Sequence, residues 1–458
     1  MRMRRLQANW VTIVFGVLAL LGTGISISDA FLSDTANHPP PTTGQYGYNT
    51  FVPGSAGFPG LGGTYVDPVF GSTIKRLTTF GPSGSNFNDI YAHHWCNANG
   101  TYCFSDPNGA LSIINASTGA VLWSGQPGGS NVFDIEWHPT NPDKYFFLTS
   151  GSGITERTLS TQTNVTFATG IGCCGSNGGS VDWVDGTGTY FVVVIGSNAQ
   201  VFERTGSTTG TLYTGTARNG ASGGSYNWMS PDGNYIVSGA GGQTPQISYA
   251  VNKVAKSIGA GVSFWTLAGD HAYGVTASDG KTYWVTLDGV GDAPGCPAGN
   301  TMGLFARDVT LVAGTESQQI AGSRLLACLS FNHDLHLTGG FIGANKDWVM
   351  IDTEIQRDVV NYNPASGWGL YDQEIIALNV LTSEVRRLAH HRSRSIWADY
   401  YNQPHVSSSW DGSVVIWESN FNISGNYHVD LYAITNPLGS GTSPDLTPPA
   451  PPLNLRVQ

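Results

Sequence analysis

Short apolar stretches that alternate with turn residues run through most of the chain, and they recur. Trp95, Trp137, Trp183 and Trp228 stand 42, 46 and 45 residues apart, and each precedes a turn followed by an aromatic residue, Tyr102, Tyr145, Tyr190 and Tyr235. Within a unit the pattern is strand, tight turn, strand. Ser225 to Met229 leads into Ser230-Pro231-Asp232-Gly233 and returns through Asn234 to Val237, and Pro404 to Trp410 turns at Asp411-Gly412 into Ser413 to Trp417. The Gly in each turn supplies the positive φ that a tight hairpin needs. Further hairpins follow, as at Ile375 to Val380 with Leu381 to Glu384, so a complete unit has four strands. A four-stranded repeat of this length cannot bury its own apolar face and must pack on copies of itself, which is the logic of a propeller blade.

Aligning the turns predicts an all-β chain folded as a single β-propeller of seven blades of four antiparallel strands. Units begin near Tyr91, Phe133, Ser180, Ser225, Val262, Leu326 and Gln403. The fifth has His271 where Gly is expected, and a segment from Leu335 to Asp372 lengthens the sixth. Gly63 to Thr78 reads as a hairpin without a unit of its own. It is the expected closing strand, because an open blade edge would leave backbone groups unpaired.

The domain limits follow from composition. Residues 1–30 combine Arg2, Arg4 and Arg5, an apolar run from Trp10 to Leu21 and the small residues Ser28-Asp29-Ala30, which reads as a signal peptide. Residues 31–60 read as a flexible linker, 61–437 as the propeller and 438–458 as a Pro-rich tail. The expected location is secreted, periplasmic or extracellular, with no membrane span in the mature chain. Loss of residues 1–30 takes the formal charge from −11 to −13. An acidic surface of this kind excludes nucleic acid as a partner.

Six cysteines in an exported chain predict disulfides. Cys96 and Cys103 flank an Asn97 to Gly100 turn that sets them opposite each other. Cys173 and Cys174 are adjacent, and they pair either with each other or with Cys296 and Cys328.

Turn register places His93 and His405 at matching positions of the first and seventh inner strands. Ring closure makes those blades neighbours, so both imidazoles and Gln403 are candidate ligands for a divalent metal near the channel. Arg386, Arg387, Arg392 and Arg394 form the densest basic run. Arg392 and Arg394 are candidate clamps for an anionic saccharide, with Tyr400 and Tyr401 as stacking surfaces.

Two stretches carry a family resemblance. Asp67, Gly71 and Arg76-Leu77-Thr78 at the start, and Pro404-His405, Asp411-Gly412 and Trp417-Glu418-Ser419-Asn420 at the end, resemble the oligogalacturonate lyases and their relatives among TolB-like propellers. In that family a Gln-x-x-His-x-His run is associated with the metal; its positions fall here on Tyr400, Gln403 and His405. The resemblance implies metal-dependent β-elimination on uronic-acid oligosaccharides, with the base open between His390 and His391. Three functional classes are therefore in view. One is an exported module binding a polysaccharide or protein through the loop face near blades 6, 7 and 1. The others are the lyase and a structural component of an extracellular assembly.

Overall fold

A computed structural model describes residues 31–79, 94–105, 111–125, 135–149, 153–169, 183–218, 226–240, 245–267, 271–289, 291–299, 301–330, 333–355, 368–394, 402–422 and 429–439. The chain forms seven antiparallel blades around a central channel. Blade 1 holds Tyr102–Ser105, Ser112–Asn115 and Val121–Ser124, with Cys96 bridging to Cys103 on the inner side. Blade 2 runs Ile135–Trp137, Lys144–Thr149, Gly153–Thr158 and Thr163–Thr169. In blade 3, Tyr190–Ile195, Asn198–Arg204 and Gly210–Leu212 follow an inner bridge from Val184 to Phe191. Blade 4 consists of Tyr226–Met229, Tyr235–Ala240, Gln246–Asn252 and Ser257–Trp265, and blade 5 of Ala272–Thr276, Thr282–Leu287, Thr301–Asp308 and Ser323–Ser330. Blade 6 has Leu337–Thr338, Trp348–Asp352, Glu374–Asn379 and Val385–His390; blade 7 has Ser407–Ser408, Val414–Ser419 and Asp430–Thr435.

The N-terminal hairpin completes blade 7. Thr73–Arg76 pairs with Asp430–Thr435 and carries Thr64–Val66 outside it, so the expected closure is observed. Arg76 locks it, donating from Nη2 to Asp430 Oδ2 at 2.6 Å and from Nε at 3.1 Å. On the inner side the ring closes through Cys96 N donating to Ser408 O at 3.0 Å.

The tryptophan period is an interblade packing device. Trp95, Trp137, Trp183 and Trp228 are all buried, and Trp137 Nε1 donates to Trp95 O at 3.1 Å, tying blade 2 to blade 1. Phe104 stacks on Trp137 with centroids 4.4 Å apart. Trp228 of blade 4 lies so close to Gly274 of blade 5 that a Cβ there would fall inside the indole.

Two unit boundaries differ from the sequence expectation. Val262 and Leu326 lie on the outermost strands of blades 4 and 5, one strand ahead of the innermost strands of blades 5 and 6. The tight turn of blade 5 is at Ala277 to Gly280, with Gly280 at φ 82°, and not near His271. Blade 6 has no short Asp-Gly turn: its first two strands are joined through Gly340, Gly343 and a 3₁₀ turn at Gly343–Asn345. Alignment on short turns therefore slipped in both. The stretch expected to lengthen the sixth unit contains the first two strands of this blade, Leu337–Thr338 and Trp348–Asp352.

Cys96 and Cys103 are bonded, with Cα atoms 4.0 Å apart, as the turn predicts. Asn97 shapes that turn by accepting at Oδ1 from Thr101 N and Tyr102 N. Cys296 and Cys328 are bonded to each other, which excludes a bond from either to Cys173 or Cys174; those two lie outside the described residues. Residues 31–60, read as a linker from composition, lie along blades 6 and 7. Leu32 exchanges backbone hydrogen bonds with Arg387, and Tyr48 and Phe51 are buried. Among the described residues no helix is long and apolar enough to cross a membrane.

Candidate metal centre

Three histidines occupy equivalent places in successive blades. His271, His336 and His405 each precede the innermost strand of blades 5, 6 and 7, so all three reach the same end of the channel. The His336 ring centroid lies 4.5 Å from that of His271 and 4.5 Å from that of His405. Each Nδ1 faces an oxygen. His271 Nδ1 is 2.9 Å from Leu335 O, His405 Nδ1 is 2.9 Å from Glu418 Oε2, and His336 Nδ1 is 3.3 Å from Asp352 Oδ1 and 3.2 Å from Glu354 Oε1.

Asp352 and Glu354 come from the end of the second strand of blade 6 and the residues after it. Two positions apart in extended chain they point the same way. Short pairing of His333–Asp334 with Glu354–Ile355 brings His336 back beside them. Ligand atoms of His336, Asp352 and Glu354 lie within 4.8 Å of one another, and all three side chains are fully buried. Asp352 also bonds blade to blade, taking His336 N at 2.9 Å and Val406 N at 2.8 Å.

Burial opposes charge on every member, and the partners decide the outcome. Burial would lower His336, but the Asp352 and Glu354 carboxylates outweigh it and raise the imidazole well above its usual value. Asp352, against the same burial, is lowered by His336 and by its backbone donors. Glu354 is pushed up to about 8, because burial and the Asp352 charge exceed what His336 returns. His405 is held well below its usual value by burial and by the charges of His336 and His271. One imidazolium thus faces two carboxylates, and a buried proton on Glu354 makes up the difference. A divalent cation would supply that missing charge, and a mixed imidazole and carboxylate set suits borderline and hard divalent ions. His405, neutral and with Nδ1–H on Glu418, keeps its lone pair at Nε2, the arrangement seen where a carboxylate orients a metal-binding histidine. The residues present therefore fit a divalent metal.

Backbone geometry marks the cluster at one of its members: His405 has a positive φ of 45°. Non-glycine residues held this way cost on the order of 1–3 kcal/mol each and gather at functional sites.

The structure sorts the sequence candidates. His405 belongs to the cluster. Gln403 is buried two residues away, with its amide oxygen unpaired. His93, Tyr400 and Tyr401 lie outside the described residues. His390 and His391 are spent elsewhere: His390 Nε2 donates to His38 O at 2.8 Å while Nδ1 faces Asp67 at 3.5 Å, and His391 Nε2 donates to Thr353 O at 3.1 Å while Nδ1 accepts from Ser393 N. Burial takes His391 down to about 4. His391 thus keeps no nitrogen for removing a substrate proton, whereas Nδ1 of His390 is buried without a hydrogen-bond partner. Arg392 and Arg394 are buried beneath the N-terminal segment and bonded to its carbonyls, so an open clamp is not what they form.

His336, His271, Asp352 and Glu354 were not among the sequence candidates for the metal. In the sequence His336 ends His333-Asp334-Leu335-His336, whose residue types ligate metals but equally fill turns, and the shifted unit boundaries of blades 5 and 6 hide its register with His405. The usable signal was Asp352-x-Glu354, two carboxylates on one side of a strand otherwise wholly apolar from Trp348 to Ile351.

Fold and cluster together define a seven-bladed propeller with a metal-type group at one end of its channel. No protein-family model matches the sequence, and no curated protein matches it. Solved structures do. An oligogalacturonate lyase in complex with manganese aligns with a TM-score of 0.50 at 13% identity, over 81% of this chain and 95% of that chain. Crystalline oligogalacturonate lyase from Vibrio parahaemolyticus gives a TM-score of 0.50 at 10% identity, over 81% and 96%. At such identities the likeness is one of fold, and it agrees with the resemblance at the two ends of the chain.

Proposed function

We propose that the protein is an exported, divalent-metal-dependent propeller that acts on uronic-acid saccharides by β-elimination. The observation that carries this reading is the buried His336, Asp352 and Glu354 group, with His405 beside it, at the channel end of blades 5 to 7. His336, Asp352, Glu354 and His405 would hold the metal. When bound, the metal polarises a uronate carboxylate and so acidifies the proton α to it. The chain's own part is to fix that group: Asp352 is anchored on two backbone donors, and Glu418 sets the tautomer of His405. The two disulfides among the described residues suit an oxidising compartment.

A second reading is favoured by one observation. The side chains of His336, Asp352, Glu354 and His405 are all 0% exposed, as in a structural metal site. The protein would then be a binding module, its metal stiffening the face presented to a polysaccharide or protein. Elemental analysis of the purified mature protein, with an absorbance assay for unsaturated uronate, separates the two. Metal with product supports the lyase; metal without product supports the module. Absence of metal in protein purified without chelators, and after incubation with manganese, removes both.

A further inference from the structure

Arg392 and Arg394 lie on the chain passing from blade 6 to blade 7, and each is 1% exposed. Burial and the neighbouring Arg392 charge draw Arg394 down to about 10, which leaves it protonated at neutral pH. Two positive charges are therefore enclosed side by side. Among the described residues neither forms an ion pair. Main-chain oxygens meet part of the need: Arg392 Nη1 donates to Tyr46 O at 3.0 Å, and Arg394 Nη2 donates to Tyr48 O. The guanidinium groups lie over the Phe51 and Tyr48 rings.

Four donors are left over. Nε and Nη2 of Arg392, and Nε and Nη1 of Arg394, are buried without a hydrogen-bond partner. A buried, unpaired donor on a charged group keeps its full desolvation penalty, so this pattern calls for an acceptor. Nε and Nη2 share one edge of the planar group, and that edge meets two oxygens of a carboxylate or phosphate in parallel. The Tyr65 hydroxyl, also buried and unpaired, feels the Arg392 charge. The carboxylate that Arg392 influences is Asp67, but its oxygens already accept from the backbone N–H groups of Val69, Phe70 and His390.

We propose that Arg392 and Arg394 form a buried oxyanion site, in which the Arg392 edge takes two oxygens of a carboxylate or phosphate-type group beneath the N-terminal segment. Anion and segment hold each other, since Tyr46 and Tyr48 cap the same cations. Two sources share the chemistry, a free inorganic oxyanion enclosed as the segment closes and the carboxylate of a uronic acid. The site shares no residue with the metal cluster.

The test is thermal unfolding of the mature protein at constant ionic strength, with added inorganic phosphate, galacturonate or neutral galactose. Ion chromatography of the denatured protein covers a site that is already filled. A native-state ligand raises Tm with the logarithm of its concentration. Either anion is expected to do so while galactose does not, or one equivalent of anion is released on denaturation. A response to phosphate alone identifies a free ion, and one to galacturonate a saccharide carboxylate. R392K keeps the charge but loses the paired edge and should weaken the anion by about tenfold or more; R392Q should abolish the response. Neither a response nor a bound equivalent in the wild type, or an undiminished response in R392K, overturns the proposal. Metal content of R392K is expected to be unchanged, which keeps this outcome distinct from failure of the metal reading.

Discussion

His405 Nδ1 donates to Glu418 Oε2 at 2.9 Å, and both side chains are fully buried between the first two strands of blade 7. The bond leaves the lone pair on Nε2 and aims the ring toward His336. Loss of such an orienting carboxylate typically weakens a metal site by about 10–100-fold. Glu418→Gln is therefore expected to lower metal affinity by about that factor with the propeller intact, as read by competition against a chromophoric chelator with circular dichroism as the control. Unchanged affinity would remove His405 from the ligand set.

Glu354 gives the metal a pH signature. Its folded value of about 8 lies above the ordinary 4.5, so between these values the metal-free folded state binds more protons than the unfolded chain. Stability then falls as pH rises through that window. His336, raised, contributes fully below its ordinary 6.5 and loses that contribution only as pH climbs through its raised value; Asp352, lowered, contributes above 3.8. The metal-free protein is thus expected to melt at a lower temperature at pH 8 than at pH 6. Metal should abolish the difference and, at pH 7, release about two protons on binding, one from Glu354 and one from the His336 imidazolium. Calorimetry in two buffers of different ionisation enthalpy reads those protons directly.

Closure of the ring depends on Arg76. Its pair with Asp430 is largely buried, and Arg76 Nη1 also holds Pro59 O at 3.0 Å. Arg76→Ala leaves the Asp430 carboxylate under-compensated and should cost about 2–4 kcal/mol. Chemical denaturation measures it, and limited proteolysis should cut first at the freed N-terminal hairpin. A loss below about 1 kcal/mol would mean that strand pairing alone closes the ring.

Gly274 is needed for space, not for a special backbone angle. The Trp228 ring occupies the volume of a Cβ at this position, so Gly274→Ala is expected to destabilise by about 1–3 kcal/mol through overpacking. Gly280→Ala in the same blade meets no neighbouring atom, but at φ 82° it pays in backbone strain alone. Denaturation midpoints of the two variants separate the mechanisms, since only the first should change near-ultraviolet signals from Trp228.

Fold and site were legible to different depths. Trp95 to Trp228, the Asp-Gly turns, the Cys96 and Cys103 pair and the Thr64 to Arg76 closure all rest on local chemistry: a φ that Gly tolerates, a side chain that fills an interblade gap, an edge that must be paired. Such features leave their mark within a few residues, and the sequence by itself determined seven blades from them. It also singled out His405, because turn register survives in blade 7. Only the tertiary structure decided what His405 meets. His271, His336, Asp352 and Glu354 are separated by up to 83 positions in the chain and meet His405 because blades 5, 6 and 7 present matching ends to one channel. It decided, too, that Arg392 and Arg394 lie under the N-terminal segment. Composition reports that segment's Gly and Pro, but burial of Tyr48 and Phe51 depends on the surface that blades 6 and 7 offer them. Convergence and burial are properties of distances through space, which a linear spacing does not encode.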